Sequence, residues 1–70
     1  MSYWIKIERP KGNAIYAAHV SGPRHVAETR LVDMLVRYGM KIDNSRESAW
    51  VGPNKLIYTH GPAIGLITQA

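Results

Sequence analysis

Seventy residues without a cysteine exclude a disulfide-stapled scaffold and leave room for one domain, residues 1–70, which at this size buries only ~60% of the surface of its unfolded chain. Nine Lys and Arg against five Asp and Glu give a formal charge of +4 and a pI near 9.8, an excess that suits attraction to nucleic acid or to an acidic protein surface and excludes neither. No apolar run approaches the ~18 residues of a membrane span, and the opening MSYWIKIERP lacks the basic-then-apolar order of a secretory signal, so the expected setting is the cytoplasm, with no membrane partner.

From Tyr3 to Arg9 the chain reads YWIKIER, in which Tyr3, Ile5 and Ile7 alternate with Trp4, Lys6 and Glu8. That is the period of a half-buried strand. Pro10, Lys11 and Gly12 supply the chemistry of a three-residue hairpin loop closed by a glycine bulge, which sets Arg9 opposite Asn13. Counting back along both arms places Ile7 beside Ile15, Ile5 beside Ala17 and Tyr3 beside His19, with Trp4, Lys6, Glu8, Tyr16 and Ala18 on the opposite face.

The segment Ser21–Gly39 is the one long periodic stretch. Pro23 suits the first helical position and Gly39 the left-handed residue that closes a helix. Ala27, Leu31, Met34, Leu35 and Tyr38 fall on one stripe at ~3.6 residues per turn and form the expected core face. Arg30, Asp33 and Arg37 run along a charged flank at spacings suited to mutual support. On the reverse side His25, Thr29, Val32 and Val36 take the place of charges, and a helix apolar on two sides predicts a second buried contact. In a domain with so small a core, self-association is the expected support, so the sequence predicts a homodimer, or a contact with another partner, through His25, Val32 and Val36.

Lys41 and Ile42 precede an unbroken polar stretch from Asp43 to Glu47, which reads as a loop. The text SAWVGPNKLIYTH then predicts a second hairpin about Gly52-Pro53-Asn54-Lys55, with Val51 by Leu56, Trp50 by Ile57 and Ala49 by Tyr58. Gly61-Pro62 breaks the strand, and Ile64 to Thr68 offers one further short strand. The expected fold class is therefore α+β: a small antiparallel sheet of two β-hairpins in the order β-β-α-β-β, with a possible fifth strand and one helix packed across it.

No pattern of catalytic, metal-binding or phosphate-loop residues emerges. His19, His25 and His60 lack the paired spacing or accompanying cysteines of a metal site, and the dispersed carboxylates form no acid–base pair. HGPAIG has the glycines of a phosphate loop without its lysine or following helix. The expectation is a non-enzymatic binding module without cofactor or metal. Its leading partner is single-stranded RNA or DNA, with Trp4 and Tyr16 stacking on bases and Lys6, Lys11, Arg30 and Arg37 meeting phosphates. The alternative is an inhibitor or adaptor, in the manner of small phage- or plasmid-encoded proteins, that covers a partner protein's surface, with Trp50 as its anchor.

Overall fold

The computed structural model describes residues 1–46 and 48–70. The elements follow in the order β1 (Ser2–Glu8), β2 (Ala14–Ser21), α1 (Arg24–Arg37), β3 (Asn54–Tyr58) and β4 (Ile64–Gln69). The strands form a single antiparallel sheet in the order β2-β1-β4-β3, with α1 lying along one side. This is the α+β class that the periodicities predict.

The helix ends as its sequence dictates. Pro23 stands at the N-cap with φ −73°, one residue ahead of its expected place. At the other end Gly39 adopts φ +78°, Gly39 N–H donates to Val36 C=O at 2.9 Å and Met40 N–H to Leu35 C=O at 3.0 Å. That pair of bonds satisfies carbonyls the last turn leaves unpaired and turns the chain back toward the sheet. Between these ends Ala27, Leu31 and Leu35 are fully buried, Met34 is partly buried, and Tyr38 stays half exposed against Tyr16.

The helix is seated on Tyr3, Ile5 and Ile7 of β1 and Ile67 of β4, all buried. Gly65 lies inward beside Ile7. An added Cβ there would stand 3.0 Å from Leu31 Cδ2 and 3.2 Å from Leu35 Cδ1. The missing side chain is thus what lets α1 approach β4, a close-approach use of glycine.

The first hairpin turns where the sequence places it: Arg9 N–H donates to Asn13 C=O at 3.0 Å and Gly12 N–H to Arg9 C=O at 2.9 Å. Its register nevertheless differs from the expected one. Glu8 pairs with Ala14 but Ile7 pairs with Tyr16, so Ile15 is an extra residue in a bulge. Because side chains alternate, that single insertion exchanges the faces of every later residue of β2. Tyr16, Ala18 and Val20 face the helix, opposite Ile7, Ile5 and Tyr3; Ala17 and His19 face outward, opposite Lys6 and Trp4.

The second hairpin also needs correction. Residues 49–51 make a single bridge, Val51 with Asn54, across a turn in which Gly52 has φ +59°. The strand that pairs with β3 is β4, joined through Thr59–Ala63, and β4 occupies the sheet's interior between β1 and β3. Thr59, buried in that connection, donates its hydroxyl to Ala63 C=O at 2.7 Å.

Candidate nucleic-acid interface

With one helix for four strands, the sheet keeps a face open to solvent, and the registers assign its residues. Across β2, β1, β4 and β3, one row reads His19, Trp4, Thr68, Asn54 and the next Ala17, Lys6, Leu66, Leu56. A third reads Ala14, Glu8, Ile64, Tyr58. The indole of Trp4 is 54% exposed and packs against the His19 ring at a centroid separation of 4.8 Å. Two rows away the guanidinium carbon of Arg46 lies 4.2 Å from the centre of the Tyr58 ring.

Arg46 is set over Tyr58 by a short turn. Asp43 Oδ1 accepts from Ser45 N–H at 3.1 Å and Ser45 Oγ at 2.6 Å, and Arg46 N–H donates to Asp43 C=O at 3.3 Å. The Ser45 hydroxyl bond, the largest influence, lowers the pKa of Asp43 below its ordinary value; the Ser45 N–H bond and the charges of His60 and Arg46 assist against desolvation. Asp43 is therefore held as a carboxylate, the form that accepts these bonds.

Lys6 stands between the two aromatic sites, its Nζ 3.2 Å from Glu8 Oε1. Beside Tyr58 an open groove of about 550 Å³ is lined by Ala49, Val51, Leu56, Leu66 and Thr68. With strands ~4.8 Å apart and ~3.3 Å per residue along them, Trp4 and Tyr58 are separated by ~16 Å on this face.

The expected interface is only partly assembled. Trp4 and Lys6 share the open face as predicted, but the β2 bulge carries Tyr16 to the helix side, where its ring meets Tyr38 at 6.2 Å. His19 stands where Tyr16 was expected, beside Trp4. Lys11 lies in the exposed β1–β2 turn, at one end of the sheet. Arg30 and Arg37 are exposed on α1, across the sheet from Trp4, and Arg37 is bonded to Asp33 at 3.1 Å. They cannot touch a strand laid on the open face. His19, Tyr58 and Arg46 are the members sequence reasoning missed; Tyr58 was signalled by its strand, whereas Arg46 sits in a polar loop with no periodic signal.

The residues expected at a protein or dimer contact are dispersed too. His25 and Val36 are exposed, Val36 at 59%. Val32 is partly buried and shares a groove with Ile42 and Ile57, so of the second apolar flank the chain itself covers Val32, while His25, Thr29 and Val36 stay exposed. Trp50 is held inward: its Nε1 donates to Glu28 Oε1 at 2.7 Å, its ring lies 5.8 Å from that of Tyr3, and the guanidinium carbon of Arg24 lies 4.5 Å from its centre. Lys55 Nζ joins the same Glu28 oxygen at 3.4 Å. That arrangement clamps the segment before β3 onto the helix and leaves no protruding indole there.

His19 and His60 are too far apart for joint acid–base work, lying at opposite ends and opposite edges of the sheet. Among the described residues no three His, Asp or Glu side chains converge as metal ligands, and no helix is long and apolar enough to cross a membrane. Comparison with models of protein families, with curated proteins and with solved structures returned no match.

Proposed function

We propose that the protein is a non-enzymatic module that binds a single strand of nucleic acid on the open face of its sheet. One observation carries this reading: the rings of Trp4, His19 and Tyr58 stand on the same sheet face as Lys6, with Arg46 stacked on Tyr58 at the β3 edge. Bases of any sequence stack on such rings, and cations between them meet the intervening phosphates. Trp4 with His19 forms one platform and Tyr58 with its groove a second. A strand of a few nucleotides spans them, passing Lys6, which exchanges Glu8 for a phosphate. Lys11, in the exposed turn at the end of the same sheet, extends the basic track.

The test is a salt titration by fluorescence anisotropy, using labelled single-stranded RNA and DNA and a duplex of the same sequence. Each phosphate met on a single strand contributes ~0.7 to the slope of log affinity against log salt, so two to four contacts predict a magnitude of roughly 1.4 to 2.8. The single strand should bind more tightly than the duplex, whose bases are already stacked. Absence of binding at low salt, or binding indifferent to salt, would remove the proposal.

The aliphatic residues Leu56, Leu66 and Ile64 and the neutralising Lys6–Glu8 pair favour a second reading, in which the same face covers a partner protein with Trp4 as its anchor. This replaces Trp50 as the anchor of an inhibitor or adaptor. A nuclease-resistant partner recovered from lysate with the wild type, and lost with Trp4→Ala, would favour it.

A further inference from the structure

The two edges of the sheet are finished differently. Along β3 the chain bonds both ends of its own outer edge: Asp43 N–H donates to Tyr58 C=O at 2.9 Å, His60 N–H to Lys41 C=O at 3.0 Å, and Val51 and Asn54 exchange bonds of 2.8 and 3.2 Å. On β2 the hydrogen bonds fix which backbone groups remain free. Ala70 N–H donates to Ser2 C=O at 3.0 Å, so the backbone of Ser2 points toward β4; Gly22 N–H donates to Met1 C=O at 2.8 Å on the other side of β1. Bonded and non-bonded pairs alternate in an antiparallel ladder. Val20, Ala18 and Tyr16 are therefore bonded to β1, whereas Ser21, His19 and Ala17 turn N–H and C=O away from the sheet. These three residues are exposed, and among the described residues no hydrogen bond reaches their outward groups.

Edges of this kind are usually blunted by proline, by charge or by shortness. β2 has none of these: it is eight residues long, AIYAAHVS, without Pro, Lys, Arg, Asp or Glu, and its bulge lies at the far end, at Ile15. We propose that β2 pairs antiparallel with β2 of a second copy of this chain, about a two-fold axis at His19, so that the two sheets become one.

The occupant follows from the strand itself. The outward residues 17, 19 and 21 are symmetric about His19, so each free N–H and C=O of one copy meets its complement in the other: His19 faces its own equivalent and Ala17 faces Ser21. On the helix side the same register places small Ala18 against Val20, a complementary pair in size. The edge has no formal charge, so two molecules of +4 approach along a strip without like charges. Tyr16 and Ala18, only partly buried in one copy, gain cover in the pair. The inference is independent of the function proposed above, and it moves the self-association expected on the helix to the sheet edge.

Sedimentation equilibrium from micromolar to millimolar concentration tests it, on the wild type and on His19→Glu and Val36→Glu. The two variants change charge equally, one at the β2 edge and one on the exposed helix face. The expected result is a wild-type mass that rises to twice the monomer, the same rise for Val36→Glu, and a monomer throughout for His19→Glu. Amide hydrogen exchange of the wild type supplies a readout that no misfolded variant affects: Ala17, His19 and Ser21 should exchange more slowly as concentration rises, with Val20 and Ala18 unchanged. A wild type monomeric at millimolar concentration, a dimer lost with Val36→Glu but kept with His19→Glu, or concentration-independent exchange at all three amides would overturn the proposal.

Discussion

Replacing Leu31 with alanine is expected to lower stability by ~2 to 5 kcal/mol, the range for truncating a large aliphatic side chain in a core. Leu31 is fully buried and stands over Gly65, which has no Cβ to enter the space left behind. The nearest material on that side is the backbone of β4, fixed by its ladders to β1 and β3. The cavity therefore collapses poorly, and the cost belongs in the upper part of the range. At ~0.05 to 0.15 kcal/mol per residue a domain of this length has a total of roughly 3.5 to 10 kcal/mol, so the change removes a large share of it. Thermal melting by circular dichroism should show a midpoint lower by ~10 °C or more. Val36→Ala, at a 59% exposed site, should change stability by no more than ~0.5 kcal/mol. Equal melting of Leu31→Ala and the wild type would mean that the helix is not seated on Gly65.

The element this prediction rests on was legible in the sequence because its signals agree. Pro23, the stripe through Ala27, Leu31 and Leu35, and Gly39 each specify the same helix, and the structure places all five accordingly, Pro23 one residue early. The alternation of β1 was equally clear, since Tyr3, Ile5 and Ile7 all face the core. β2 was harder. The loop Pro10-Lys11-Gly12 fixes the pairing at Arg9 and Asn13, but nothing in AIYAAHVS announces that Ile15 is inserted, because two alanines and a bulge leave no strong period of two on either face. β4 was masked for the opposite reason: Ile64, Leu66 and Ile67 with Gly65 are apolar on both faces, as a strand between two neighbours tends to be, and so few residues resemble an accessory piece. Once β4 takes β3 as its partner, residues 49–51 are released, and Trp50 turns inward to Glu28 and Tyr3.

For the candidate site these shifts matter more than for the fold class. The idea of rings beside cations on an open sheet was readable from Trp4 and Lys6, but its other members are decided by register and by a loop. His19 reaches Trp4 through the bulge, and Arg46 reaches Tyr58 through the Asp43–Ser45 turn. Arg30 and Arg37 have only their charge to recommend them, and the sheet lies between these helix residues and the open face.

The second large effect is on binding. Trp4→Ala should weaken the affinity for a single strand by ~1 to 3 kcal/mol, the usual contribution of a stacked base, which is a roughly 5- to 150-fold rise in Kd. The indole is 54% exposed, so its removal leaves no buried cavity and the fold should persist. Because Trp4 meets no phosphate, the salt slope should be unchanged, whereas Arg46→Gln should lower that slope by ~0.7. Anisotropy titrations of both variants at two salt concentrations separate ring from cation. If Trp4→Ala binds like the wild type, the ring is not a stacking platform.

A heteronuclear NMR titration of the wild type with a short single-stranded oligonucleotide locates the bound strand on the protein directly. The largest shifts should fall on the Trp4 indole, the His19 and Tyr58 rings, and the amides of Lys6, Leu66 and Arg46, while Arg30, Val36 and Arg37 on the helix stay in place. Shifts centred on the helix with the sheet face silent, or no shifts at oligonucleotide excess in low salt, would contradict binding on the open face.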